Sequence, residues 1–223
     1  MTSQPLRLVV FDATDRGGPW ARRARTPASD GRSAERIGLA PVWWLGARTH
    51  RLLGGADAWC GVDSWDEALG WARDVATRRG RPIGSLQAWG HGGWGFMRLG
   101  QTRLDAAGLE PASALGTSLD ALAGALAGPE ALVWLRCCSA FGSEGRHFAR
   151  MLADRLGCRV AGHTHVIGFF QSGTHSIAPG VDPSWDPTEG VIVREGQAAS
   201  ARGSSPFAPN TVTCMHLDLP AAF

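Results

Sequence analysis

Short apolar segments of strand length recur along this chain, and segments with helical periodicity lie between them. Residues 6–11, 82–89 and 132–135 are apolar runs, and residues 63–79 and 142–156 carry apolar side chains at helical spacing. Alternating strands and helices are typical of proteins in which helices cover a largely parallel sheet. The sequence therefore predicts an α/β fold, a three-layer sandwich around a mostly parallel central sheet.

Weaker patterns complete the predicted element order. Further strands are expected at residues 41–45, 96–99, 159–161, 191–193 and 211–217, and a further helix at residues 118–126. The two late strands are expected near a sheet edge. Residues 14–36 and 169–190 are rich in Gly, Pro and Ser, which favours loops. We expect the first to be a long surface loop and the second to lie at the rim of a functional site, since long loops are often functional.

Composition bounds the class of protein. A chain of 223 residues with 44% hydrophobic residues is most simply one globular domain, residues 1–223. A net charge of +2 does not favour a nucleic-acid partner. The sequence contains no lysine or tyrosine, so neither can serve as a catalytic group, and with many Ala and Gly residues this suggests a bacterial GC-rich genome. No stretch predicts a membrane helix or a signal peptide.

The five cysteines do not form the framework of a disulfide-rich protein. They are Cys60, Cys137, Cys138, Cys158 and Cys214. Their number is odd and two are adjacent, which is not typical of a secreted disulfide scaffold. We therefore expect reduced thiols in a cytoplasmic protein.

Two predicted strands end on side chains with catalytic chemistry. His91 follows the run at residues 82–89, and Cys137 follows the run at residues 132–135. The carboxyl ends of parallel strands meet at one rim of a sheet, where sites form. A cysteine nucleophile with a histidine base needs this juxtaposition. Cys138 competes for the role, but only one of two adjacent side chains can face His91.

These motifs resemble those of the caspase-like cysteine peptidases, the clan of caspases, metacaspases, legumain, clostripain and gingipain. The shared features are an apolar run before His91-Gly92 and a second apolar run before Cys137. The chain is most similar to a bacterial caspase-like domain of unknown function, over about residues 83–168. The spacing from Cys137 to Gly142 follows that domain. Arg136 and the doubled cysteine depart from the clan, in which the residue before the cysteine is often small.

The resemblance implies a cysteine endopeptidase that cleaves itself or a partner protein, without a cofactor. Cys137 would be the nucleophile, His91 would move the proton, and the backbone N–H groups of Gly92 and Cys137 would hold the oxyanion. The arginines of residues 16–25 are a candidate self-cleavage segment. The alternative is a non-catalytic caspase-like module for binding or assembly, which the two departures favour.

Other candidate residues have weaker patterns. Asp12, at the end of the first strand, can select a basic substrate residue or simply close a turn. Cys138, His163 and His165 are candidates for the substrate pocket. The His-x-His pair also suits zinc, but no accompanying ligand motif is present, so we expect no metal. The Gly-rich stretch at residues 90–95 lacks the spacing and lysine of a phosphate loop.

Overall fold

The computed structural model describes residues 4–16, 38–220 and 223. The helices are α1 (Ala40–Leu52), α2 (Trp65–Arg79), α3 (Gly116–Ala125) and α4 (Gly145–Leu156). The strands are β1 (Leu6–Asp12), β2 (Ala58–Val62), β3 (Ile83–Trp89), β4 (His91–Gly93), β5 (Phe96–Leu99), β6 (Thr102–Asp105), β7 (Leu132–Arg136), β8 (Arg159–His163), β9 (Phe170–Gln171), β10 (Thr174–Ile177), β11 (Val191–Arg194), β12 (Gln197–Ala201) and β13 (Val212–Thr213). The fold is mixed α/β, as predicted.

Six strands form the central sheet, in the order β10-β8-β7-β3-β1-β2. All neighbours pair in parallel except β8 and β10, which pair antiparallel at one edge. The prediction of a mostly parallel central sheet is therefore confirmed. From β1 the chain goes to β2 on one side and then returns to β3 on the other side. The crevice between the carboxyl ends of β1 and β3 is thus a topological switch point, where α/β sheets bind ligands.

The two faces of the sheet are covered differently. Helices α2, α3 and α4 bury the larger apolar cluster with Leu8, Leu86 and Leu135 of the sheet. On the opposite face α1 packs near Val9 and Trp89. The rest of that face is covered by the C-terminal segment, residues 211–220, which we call the C-terminal strap; its Val212 and Leu219 pack on the sheet.

Helix α2 follows directly from its sequence signals. The Ser64 hydroxyl accepts the Glu67 N–H at 3.1 Å, and Glu67 reciprocates by accepting the Asp63 N–H at 2.7 Å. Gly80 ends the helix in the left-handed conformation, with φ of 58°. These are the start and stop signals of a capped helix, so the helix predicted over residues 63–79 is confirmed.

The strand predicted at residues 41–45 is wrong, because these residues lie in α1. An apolar run of five residues fits a strand or a buried helix equally well. The tertiary packing decides in favour of the helix: Trp43, Ala47 and His50 recur at helical spacing and face the sheet. Pro41 occupies the first turn, where its missing N–H costs nothing.

The late strands also differ from the prediction. The expected strand at residues 191–193 forms the β11–β12 hairpin outside the central sheet, and in residues 211–217 only β13 is a strand. The sheet edge is β10, which lies inside the loop predicted at residues 169–190, as does β9. An antiparallel edge strand needs few apolar residues, so the sequence of β10 has no clear strand signal. Strand β2, at the other edge, was not predicted.

The loop predicted over residues 14–36 lies mostly outside the described residues, as does most of the candidate self-cleavage segment. Among the described residues, none of the helices has the length and apolar character needed to cross a bilayer.

Candidate active site

His91 and the cysteine pair lie at one rim of the sheet. Strands β3 and β7 are parallel neighbours, and Trp89 at the end of β3 is in register with Arg136 at the end of β7. The residues that follow these strands therefore meet at the carboxyl-end rim, next to the switch point. The sequence predicted this juxtaposition, and it makes the rim the candidate site.

Cys137 is fully enclosed at this rim. Its side chain is 0% exposed and belongs to the apolar cluster beneath α2, α3 and α4. Burial raises the pKa of its thiol well above the ordinary value, with a smaller contribution from Cys138. A thiol with a raised pKa is neutral and weakly nucleophilic at physiological pH. In this conformation Cys137 packs as a small core residue.

Cys138 is partly exposed, unlike its neighbour. Its Sγ lies 3.9 Å from the Ile167 carbonyl oxygen, and burial raises the pKa of the thiol above the ordinary value. The loop that follows is strained: Ser139 and Ser143 have φ of 46° and 48°, in the left-handed region. Non-glycine residues held there cost about 1–3 kcal/mol and often mark functional loops.

His91 is held on the outer side of the rim. Its side chain is 51% exposed, and Nε2 lies 2.9 Å from Asp15 Oδ2. Trp43 of α1 packs edge-on against the imidazole, with ring centroids 5.4 Å apart. Two groups from outside β4 thus restrain the ring, and one of them is a carboxylate.

Gly92 connects His91 to the cysteine pair. A Cβ built on Gly92 would lie 2.6 Å from Cys137 Sγ and 2.9 Å from the Cys138 carbonyl oxygen. Because successive side chains of a strand point to opposite faces, His91 points away from Cys137 in β4. The structure therefore brings the Gly92 backbone, and not the imidazole, against the Cys137 thiol.

Arg136 turns away from Cys137 and enters the opposite face of the sheet. It is almost fully buried and donates to Gln171 Oε1, Gln87 Oε1 and two carbonyl oxygens of the C-terminal strap, at 3.0–3.1 Å. Burial lowers the pKa of Arg136 to about 9, so the guanidinium still carries its charge at neutral pH. Arg136 anchors the strap and does not crowd the thiol.

Asp12 closes a local turn. Its Oδ1 accepts the backbone N–H of Thr14 at 2.8 Å and the Thr14 hydroxyl at 2.6 Å, and the residue is 97% buried. These contacts are typical of an Asx turn. They favour the turn role of Asp12 over the predicted substrate pocket.

His163 is a core residue of the strap face. Its Nε2 accepts the Trp134 indole N–H at 3.3 Å, and Nδ1 lies 3.2 Å from the Thr174 hydroxyl. Burial, followed by the charge of Arg136, lowers its pKa to about 3, so the ring is neutral. Both nitrogens are occupied and the side chain is enclosed, which favours packing over the predicted substrate contact.

His165 belongs to a polar network beside the cysteine loop. Its Nδ1 lies 2.9 Å from the Thr164 hydroxyl, which in turn donates to Glu189 Oε1, and burial lowers the pKa of His165. The same Glu189 oxygen lies 2.8 Å from His175 Nε2. Despite these histidines, no group of three metal-ligating side chains with suitable geometry occurs in residues 4–16 and 38–220.

The segment at residues 178–190 packs next to the cysteine loop. Trp185 stacks on Phe141 with ring centroids 5.7 Å apart, and its indole N–H donates to the Phe141 carbonyl at 3.0 Å. This contact supports the predicted position of this segment near the site, although β9 and β10 make the first half of residues 169–190 regular.

Asp15 is the residue of the site that the sequence did not predict. It lies 76 positions from His91 and follows the buried strand by three residues, inside a polar stretch. The only available signal was its place after the carboxyl end of β1, a position it shares with Asp12 and Thr14.

One family profile, described as a domain of unknown function, DUF4347, matches residues 66–175. The match is just under half of the chain, runs from α2 into β10, and includes His91 and both cysteines. Asp15 and α1 lie outside it. No curated protein matches the chain.

Proposed function

We propose that this chain is a cysteine endopeptidase with a caspase-like fold. The observation that carries the proposal is that neighbouring parallel strands place His91 and the Cys137–Cys138 pair at one rim, at the switch point. The strained loop after the cysteines and the carboxylate on His91 support it, since both are features of catalytic sites. The substrate is a protein or peptide, and no cofactor takes part.

Exposure favours Cys138 as the attacking thiol in this conformation. Alternation along β7 turns Leu135 and Cys137 into the larger core, and turns Trp134 and Arg136 toward the face that α1 covers. Cys138 lies two residues beyond the end of β7, is partly exposed, and is proposed to approach His91 at the rim. The sequence preference for Cys137 stays a prediction, and Cys137 can react only if the rim opens.

The chemistry needs a proton transfer during the reaction, because burial raises the pKa of both thiols. The thiol proton passes to His91 as sulfur bonds to the peptide carbonyl carbon. Backbone N–H groups at Gly92 and Cys137 are proposed to stabilise the oxyanion. The C–N bond then breaks, the amine leaves with the proton from His91, and water hydrolyses the thioester.

The second candidate is a non-catalytic module of the same fold. The complete enclosure of Cys137 favours it, since a buried cysteine commonly packs as a small apolar residue. The two functions differ in whether any thiol of the pair reacts faster than an ordinary surface cysteine.

Cysteine labelling separates the candidates. Iodoacetamide modification is mapped by mass spectrometry on the wild type, Cys137→Ala, Cys138→Ala and His91→Ala, with the partly exposed Cys60 and Cys214 as internal references. We expect Cys138 to react faster than both references, at a rate that falls in His91→Ala. New N-termini are counted in a mixture of denatured proteins, and this cleavage should be lost in Cys138→Ala.

Two results contradict parts of the proposal. If Cys138→Ala cleaves normally and Cys137→Ala does not, Cys137 is the nucleophile. If the pair reacts no faster than the references and no variant differs in cleavage, the binding module is correct. We also propose a cytoplasmic location, because all five cysteines are free thiols and such proteins favour a reducing compartment.

A further inference from the structure

Asp15 and His91 are hydrogen-bonded partners at the switch point of the sheet, with Oδ2 of Asp15 2.9 Å from Nε2 of His91. Asp15 follows β1 and His91 begins β4, directly after β3, so the pair spans the crevice between the carboxyl ends of β1 and β3. The Asp15 side chain is about three-quarters buried, whereas His91 is half exposed. The Asp15 carboxylate therefore contacts the side of the imidazole that faces the protein. The other side of the ring stays open and faces the rim.

The start of α1 fixes Asp15 in turn. Its Oδ2 accepts the Leu39 N–H at 3.0 Å, and its carbonyl oxygen accepts the Ala40 N–H at 2.9 Å. The first N–H groups of a helix lack partners within the helix and favour an anion nearby. No side chain of its own caps α1, so Asp15 supplies the acceptor and is itself held in one place.

The atom that Asp15 contacts determines the tautomer of the ring. In a neutral imidazole one nitrogen carries the proton and the other accepts, and the partner of one nitrogen sets which is which. A carboxylate only accepts hydrogen bonds. The proton therefore lies on Nε2, and Nδ1 carries the lone pair. Within the part of the chain that the structure describes, no hydrogen bond engages Nδ1.

We propose that Asp15 is the positioning residue for His91, and this inference rests on the proposed peptidase function. Asp15 holds the Nε2–H tautomer, directs Nδ1 to the thiol as the base, and stabilises the imidazolium after the proton transfer. It acts through His91 and touches neither substrate nor thiol. The family profile matches residues 66–175. Asp15 lies outside that range, so this role belongs to a part of the chain that the profile does not include.

The first test is spectroscopic and independent of activity. Long-range ¹H–¹⁵N correlation spectra of the full chain, assigned with His91→Gln, report which nitrogen of neutral His91 carries the proton. We expect the Nε2–H form in the wild type and a mixture of both forms in Asp15→Ala. In Asp15→Asn the amide oxygen at the Oδ2 position can accept both the Leu39 N–H and His91 Nε2–H, because one oxygen makes both contacts in the wild type, so the Nε2–H form should persist while the negative charge is lost.

Asp57→Asn is the matched control. Asp57 also accepts a backbone N–H, that of Arg7 at 2.9 Å, pairs with a basic side chain, and is buried to a similar extent. It lies at the amino end of β1, away from the rim. The His91 spectrum of Asp57→Asn should equal that of the wild type.

Activity gives the second readout. Asp15→Ala should lower the rate of thiol modification and of cleavage by about 10²- to 10⁴-fold, as loss of an oriented base does. Asp15→Asn should lower both rates by a smaller factor, because it removes only the charge that stabilises the imidazolium, and Asp57→Asn should retain the wild-type rates. An unchanged tautomer or a wild-type rate in Asp15→Ala overturns the positioning role. If the wild type shows neither fast thiol modification nor cleavage, the peptidase proposal is wrong. The spectra then show separately whether Asp15 orders the His91 imidazole.

Discussion

At the scale of single residues, the candidate site depends on the close approach of the Gly92 backbone to the cysteine pair. The φ angle of Gly92 is not positive, so its backbone conformation does not require glycine. Its lack of a side chain matters because a Cβ would meet Cys137 Sγ and the Cys138 carbonyl at less than 3 Å. Glycine is therefore required here for space and not for φ.

Gly92→Ala should destabilise the protein and disturb the cysteine loop. The new methyl group overpacks the rim, which costs about 1–3 kcal/mol of unfolding free energy. Urea unfolding measures the change. Gly124→Ala in α3 is the control, because nothing lies within 4 Å of its Cβ position and alanine should stabilise a helix by about 1 kcal/mol. Equal stability of the wild type and Gly92→Ala would contradict this close packing.

At the scale of elements, the C-terminal strap replaces a helix on one face of the sheet. Four backbone carbonyl oxygens of the strap lie within hydrogen-bond distance of buried side chains. The pairs are Thr213 and His216 with Arg136, Cys214 with His50, and Leu217 with Gln87. An irregular segment can be buried only if its backbone polar groups find partners, and Arg136 supplies two of the four bonds.

Arg136→Met should release the strap. It removes a buried charge, and among the described residues it leaves Gln171 Oε1 and the His216 carbonyl without a donor, whereas Gln87 Oε1 keeps the Trp89 indole N–H and the Thr213 carbonyl keeps the His216 N–H. Each unsatisfied group costs about 1–3 kcal/mol, so we expect a loss of at least about 2 kcal/mol and rapid hydrogen exchange in residues 212–219. Arg98→Met, on the exposed side of β5, should change neither quantity. Retained protection of the strap in Arg136→Met would show that apolar packing alone holds it.

The predicted elements divide according to how local their signals are. Helix α2 was predicted because its caps and its apolar face lie within one segment. The α1 segment was assigned to a strand, since five apolar residues do not distinguish the two structures until the sheet is present. His91 and the cysteines were predicted as one site because strand ends converge in any parallel sheet. Asp15 was missed because its partner is remote in the chain.

At the scale of the whole molecule, two buried histidines link stability to pH. Burial, then the charge of Arg136, lowers the pKa of His163 to about 3 and that of His50 to about 4, from 6.5. Both rings are neutral in the folded state. The unfolded chain binds more protons below pH 6.5, so the stabilisation is complete above that pH and is lost as pH falls toward 3.

His163→Gln should reduce the fall of the unfolding free energy at acid pH. Each unit of pKa difference corresponds to about 1.4 kcal/mol, so the unfolding free energy of the wild type should fall steeply between pH 6.5 and 4. The variant should be less stable at pH 7 but lose less between these values. The exposed His147 gives the control, His147→Gln. A variant curve parallel to that of the wild type would contradict the role of His163.

The sequence by itself determined the α/β class, the capped helix, the buried parallel strands and the rim on which His91 and the cysteines meet. These features depend on local periodicity and on a general property of parallel sheets. Only the tertiary structure decided that α1 is a helix, that Cys137 is enclosed while Cys138 is partly exposed, and that Arg136 anchors the strap. It also brought Asp15 to His91. Each of these depends on contacts between residues far apart in the chain, which no local pattern encodes.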